Sequence, residues 1–175
     1  MMIALRFLLG LAAAVAVHAA GLHLHALSPQ ILDPFVVLVI YLGLRAPLAP
    51  SALAGSVVGL TQDALTGGLY GLHGFANTLV AYGVSALRQR FLIQQPLQVA
   101  VLAALGGAAQ LTTLAFLQFF LMAEAEIPHP GFALAKTLVT GLLTMLVYVA
   151  ANRLFAWDRR RRERRRGRLR LETRA

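Results

Sequence analysis

A chain of 175 residues that is 58% hydrophobic and 13% charged departs from soluble domains, which are about 45–50% apolar and roughly a quarter charged. That excess excludes a water-soluble fold, whose surface must be covered by polar groups, and implies an all-α polytopic membrane protein with room for roughly five to seven spans of about 20 residues. The net charge of +9 resides mainly in residues 158–175, which hold ten arginines against Asp158, Glu163 and Glu172, so the basicity is one tail; the absence of cysteine excludes disulfides, thiolate metal sites and cysteine nucleophiles.

The first apolar run, residues 7–27, follows the lone charge Arg6. It is span-length rather than a short signal core, so an uncleaved first span is favoured over a secretory signal cut near Val17 or Ala19. Ser28-Pro29 breaks it. The second segment, residues 32–46, is bracketed by Pro34 and Pro47. Pro34 suits the first helical turn, where its missing N–H costs nothing. The apolar part from Phe35 to Ala46 is about 18 Å long at 1.5 Å per residue, short of a hydrocarbon core of about 30 Å. It must be short, tilted or shielded by neighbours.

Residues 48–65 form the third expected span, ending in Thr66-Gly67-Gly68-Leu69-Tyr70-Gly71, a glycine-rich turn. The fourth covers residues 72–87 and ends on Arg88-Gln89-Arg90. The fifth covers residues 97–121, a polar loop carries Glu124, Glu126 and His129, and the sixth covers residues 132–155. Six spans put Arg6, Arg45, Arg88, Arg90 and the tail on one side, and cytoplasmic loops are enriched in such residues. A compact bundle of six transmembrane helices with both termini cytoplasmic follows. Lys136 is the exception, placed where its stem can snorkel outward.

The most informative pattern is Ser51, Gly55, Gly59 and Asp63, spaced by four. On a helix this is one stripe of small residues ending in a carboxylate, which lets two helices approach closely. It reads as an internal packing seam or as a face for a partner's helix. Asp63 reads as a helix-end cap on the glycine turn, as a partner or ligand contact, or, least favoured, as a proton carrier. Asn77, Ala81 and Ser85 share a face of the fourth span, Gln110 and Gln118 lie in the fifth, and Thr137, Gly141, Thr144 and Tyr148 follow helical spacing in the sixth. These read as interhelical hydrogen-bonding faces.

His18, His23 and His25 lack the spacing that puts two metal ligands on one helical face, and His73 and His129 are isolated. No metal, cofactor or enzymatic machinery is expected. The tail arginines Arg159, Arg160, Arg161, Arg162, Arg164, Arg165 and Arg166 are expected to be disordered and to bind anionic lipids rather than nucleic acid.

Residues 33–98 resemble the MreD family of bacterial rod-shape-determining membrane proteins. The residues that carry this are the run from Asp33-Pro34-Phe35 to Tyr41, the spacing Gly55-x3-Gly59-x3-Asp63-x3-Gly67, then Tyr70-Gly71-Leu72, Tyr82, Arg88 and Arg90. The resemblance implies a non-enzymatic inner-membrane subunit of the cell-elongation complex. Such a subunit associates with the bitopic protein MreC, near the MreB filament and the RodA glycosyltransferase with its transpeptidase partner. Pro34, Ser51, Gly55, Gly59, Asp63, Gly67 and Gly71 are then the candidate partner-binding or close-packing residues. The alternative is a small-molecule-binding subunit resembling the substrate component of energy-coupling-factor transporters, with Asp63 and Asn77 as candidate ligand contacts.

Overall fold

The computed structural model describes the backbone of residues 2–23, 32–67, 69–91, 93, 95–121 and 129–172, and side chains within these from residue 7 to 21 and from 32 to 154. Among the described residues there are six helices and no strand: α1 (Met2–His23), α2 (Pro34–Gly43), α3 (Leu48–Thr66), α4 (Leu72–Arg90), α5 (Pro96–Leu121) and α6 (Pro130–Glu172). Helices consecutive in the chain run in opposite directions. Gly55 and Gly59 of α3 meet Asn77 and His73 of α4, while Gly107 and Gly141 of the last pair meet Thr140 and Ala100. Both chain ends therefore emerge at one end of the bundle.

α2 is shorter than the segment expected from residues 32–46. It spans 10 residues, about 15 Å, because Asp33 caps its start and the chain turns at Leu44–Ala46. There the Arg45 and Ala46 N–H groups both donate to the Leu42 carbonyl. Ala46 precedes Pro47, which disfavours further helix. A short helix that is apolar on every side has to be enclosed. Phe35, Val36, Val37, Val39, Ile40 and Gly43 are all buried, and α2 touches each of the other five helices. It is the axle of the fold.

α4 runs to Arg90, further than expected, and Arg88 and Arg90 occupy its last turn, where cations meet the negative end of the helix dipole. α6 continues through the arginine-rich stretch to Glu172, where the sequence alone suggests disorder. Arginine is a good helix former, and extending an existing helix carries no nucleation cost, so the backbone need not release at the charge run.

Polar side chains are buried beside the apolar core, while large apolar ones face outward. Ser51, Gln62, Asp63, Asn77, Ser85, Gln110, Thr140 and Thr144 are buried, whereas Leu53, Phe75, Leu97, Phe119, Leu138 and Leu154 lie largely exposed. Close helix contact makes this possible. A Cβ on Gly55 would stand 2.5 Å from the Asn77 carbonyl oxygen and 2.7 Å from the Ala81 Cβ, and one on Gly59 would collide with the His73 carbonyl. Ser51 Oγ donates to the Ala81 carbonyl at 3.0 Å along the same seam. The stripe Ser51–Gly55–Gly59–Asp63 is therefore filled by α4, and a partner's helix finds no access to it. Small side chains here bring two helices of one chain together.

Candidate functional site

Two carboxylates anchor the polar interior. Asp33 sits at the N-cap of α2, where its Oδ1 accepts from the Phe35 and Val36 N–H groups at 3.2 and 3.3 Å, satisfying two of the donors a helix start leaves open. Its Oδ2 accepts from Gln62 Nε2 at 3.0 Å and lies 3.5 Å from Lys136 Nζ. The lysine side chain is only 15% exposed. It pairs with Asp33 across the bundle rather than reaching outward as its position suggests, because swinging away would leave the buried Asp33 carboxylate without a countercharge.

From Asp33 a hydrogen-bonded chain crosses four helices. Gln62 on α3 donates to Asp33, Asn77 Nδ2 on α4 donates to Gln62 Oε1 at 3.0 Å, and Gln110 Nε2 on α5 donates to Asn77 Oδ1 at 3.0 Å. With Lys136 the chain reaches α6, so five of the six helices contribute one residue each. An ionised carboxylate only accepts, and this sets the direction of every amide in turn. Gln62 must present its NH2 to Asp33 and hence its oxygen to Asn77; Asn77 then turns its oxygen to Gln110. The last donor is Gln110 Nε2, and the Gln110 acceptor, Oε1, is buried without a partner.

The second carboxylate closes the α3–α4 turn. Asp63 Oδ2 accepts from the Gly71 and Gly74 N–H groups at 2.9 and 3.0 Å, and Oδ1 from the His73 N–H at 3.0 Å. His73 Nδ1 lies 2.8 Å from the same Oδ1. Asp63 thus caps the start of α4 from the preceding helix. The turn itself needs glycine: Gly67 (φ 70°) and Gly71 (φ 101°) occupy the left-handed region, which other residues enter only at a cost. The Gly67 N–H donates to the Asp63 carbonyl at 3.2 Å, so side chain and backbone of one residue organise both sides of the turn.

The opposite end is basic. Arg45 lies between the rings of Tyr41 and Tyr148, at 5.5 and 5.2 Å, and donates to Asn152 Oδ1, tying the end of α2 to α6. Ser85 Oγ donates to the Ala46 carbonyl at 2.9 Å and Arg88 Nη2 to the same oxygen at 3.5 Å. Arg90 and Arg153 are exposed at this end.

Of the residues singled out from sequence, Ser51, Gly55, Gly59 and Asp63 share the α3–α4 seam, Pro34 opens α2, and Gly67 and Gly71 shape the turn. The tail arginines Arg159–Arg166 have helical backbone and lie outside the described side chains. His25, Glu124 and Glu126 also lie outside the described residues. The residues that sequence reasoning missed are Gln62, as the centre of the network, and the Asp33–Lys136 pair. Gln62 carries a signal: it stands three residues after Gly59, on the face that the glycines turn inward. The ion pair carries none, because 103 positions separate its members.

Both acids spend their acceptors on helix starts and on neighbouring side chains, so this interior holds helices in register. Among the described residues two helices, Pro96–Leu121 and Pro130–Leu154, are long and apolar enough to cross a membrane, and most of their apolar stretches lie outside the buried interior. The core helix of a soluble protein would be mostly enclosed. Apolar residues outside and bonded polar side chains inside define a helical membrane protein. The family model for rod shape-determining protein MreD matches residues 1–154, and the chain belongs to that family, with a role in rod-shape determination. No curated protein and no solved structure matches the chain.

Proposed function

We propose that the chain crosses the bacterial inner membrane six times, with both termini cytoplasmic, and serves as a non-enzymatic scaffold of the cell-elongation complex. In this role it binds MreC and so helps position peptidoglycan synthesis by RodA and its transpeptidase partner in line with MreB. The reading rests on family membership joined to one structural observation: the buried polar groups are committed to one another. Asp63 and Asn77, the residues a transported ligand would need, make four and two hydrogen bonds within the protein. That favours a rigid docking body over a ligand-binding transporter subunit.

The helix dimensions support the topology. α3 and α4 have 19 residues each, about 28 Å against a hydrocarbon core of about 30 Å. α2 is too short to span alone, and enclosure by its neighbours meets the requirement that its backbone ends stay away from lipid. Arg45, Arg88, Arg90 and Arg153 gather at the end that carries both termini, which the positive-inside rule places in the cytoplasm.

With the glycine stripe occupied by α4, a partner's transmembrane helix has to meet an outward face. α6 offers Leu134, Leu138, Leu142 and Leu146, each more than half exposed and spaced by four. The experiment is affinity purification in mild detergent of the wild-type chain and of L138A/L142A, with co-purified proteins identified. Recovery of MreC with the wild type and its loss from a double variant of unchanged helicity is the expected result. Recovery of an ATPase pair in place of MreC would establish the transporter reading instead.

A further inference from the structure

We propose that the basic end of the bundle holds one anionic phospholipid, its phosphate on Arg88 and Arg90 and an acyl chain in the groove between α4 and α5. The inference rests on the membrane reading above and adds a ligand to it. The groove, about 520 Å³, is lined by Leu87 and Phe91 of the α4 end and by Leu97, Val101 and Leu105 of α5, with Gln98 as its polar member. It starts at the arginine-bearing end and stops at Leu105. The stretch from Leu97 to Leu105 is about 12 Å at 1.5 Å per residue, close to half of a hydrocarbon core of about 30 Å. That depth fits an acyl chain of one leaflet. A partner's transmembrane helix would need a surface running on into the other leaflet.

The headgroup is chosen by charge. Arg88 directly follows Leu87 and Arg90 directly precedes Phe91, so both arginines belong to the last turn of α4, whose Leu87 and the following Phe91 line the groove. Arg88 spends Nη2 on the Ala46 carbonyl at 3.5 Å, and its buried Nε has no hydrogen-bond partner. An unused buried guanidinium nitrogen calls for an acceptor, and a phosphate offers the matching geometry. α5 begins at this same rim with Pro96, so the positive end of its dipole adds to the attraction for an anion. A zwitterionic lipid would fill the groove equally well but carries no net charge for the two arginines.

Native mass spectrometry of the full chain in detergent, with equal amounts of phosphatidylglycerol and phosphatidylcholine of identical acyl chains, tests the site. The wild type is expected to retain one phosphatidylglycerol in preference to phosphatidylcholine. R88Q/R90Q is expected to lower that preference about thirtyfold, from the attraction of two arginines near an anionic surface. V101W fills the groove and is expected to lose the retained lipid whatever its headgroup; L105W replaces it should V101W lack wild-type helicity. A full-length variant with Arg159–Arg162 and Arg164–Arg166 changed to Gln is expected to keep the bound lipid. Equal retention of the two lipids by the wild type overturns the proposal, as does a preference that survives V101W and disappears with the tail arginines. A chain that leaves the membrane in an alkaline wash without detergent would overturn the membrane reading itself, whereas a detergent-requiring chain with no lipid preference defeats only this site.

Discussion

Gln62 Nε2 stands 3.0 Å from Asp33 Oδ2, which joins the middle of the α3–α4 hairpin to the start of the central helix. The same oxygen faces Lys136 at 3.5 Å, so one carboxylate coordinates a cation on α6, an amide on α3 and two backbone donors of α2. Removing it leaves a partly covered ammonium, a buried amide donor and a helix start all without this partner.

Asp33→Ala should therefore destabilise the folded protein by about 3 kcal/mol or more, the range for breaking one side of a buried ion pair. Asp33→Asn retains an oxygen for the cap or for Gln62 and should cost less. Detergent-solubilised variants compared by thermal unfolding would show the order wild type, Asn, Ala; equal midpoints for Asn and Ala would show that the charge and not the cap matters.

Asp63 presents a parallel case with different partners. Asp63→Ala leaves the Gly71, His73 and Gly74 N–H groups open together, and a loss of about 2–3 kcal/mol is expected from three backbone donors near 1 kcal/mol each. Amide hydrogen exchange should accelerate first at those three positions and at Gly67. Unchanged protection there would remove Asp63 from the cap.

Gly59 and Gly83 differ in what a methyl group would meet. A Cβ at Gly59 collides with the His73 backbone, and at Gly83 it meets nothing within 4 Å. Gly59→Ala should cost about 1–3 kcal/mol through forced separation of α3 and α4, while Gly83→Ala should be neutral or gain about 0.5–1 kcal/mol in helix propensity. Gly59→Leu should fail to accumulate as folded protein, a stability phenotype rather than a selective loss of MreC. Expression level and gel-filtration profile distinguish the two.

The amide chain predicts an order at its far end. Asn77→Leu breaks both of its links and strands Gln62 Oε1 and the Gln110 NH2, a loss of about 2 kcal/mol. Gln110→Met removes an unpartnered buried oxygen together with the terminal donor and leaves only Asn77 Oδ1 open, and should stay within about 1 kcal/mol of the wild type. A Gln110→Met variant that is less stable than Asn77→Leu would mean that Gln110, and not Asn77, is the junction.

Much of this architecture is legible in the chain. Apolar run lengths, Pro34, Pro47 and Pro96, and the glycine turn mark where the helices from α2 onward begin, because lipid-scale segments and helix breakers act locally, whereas the end of α6 at Glu172 lies well past the apolar run. The spacing of Ser51, Gly55 and Gly59 marks an approach between helices, but local spacing carries no information on which helix approaches, and only the packed bundle shows it to be α4. In the sequence Gln62 is a polar residue next to a conspicuous aspartate. Lys136, one turn inside the sixth span, is placed to snorkel outward, and nothing in its neighbourhood in the chain points to Asp33.

Composition and periodicity alone determine that this protein is a set of apolar helices with one strongly basic end, because both properties are sums over near neighbours in the chain. Tertiary structure decides which polar side chains meet. Asp33, Gln62, Asn77, Gln110 and Lys136 come from five helices and join only once the glycine seam has drawn α3 and α4 together around α2. An interior hydrogen bond depends on positions fixed to a few tenths of an ångström, and that accuracy belongs to the assembled bundle, not to any segment of it.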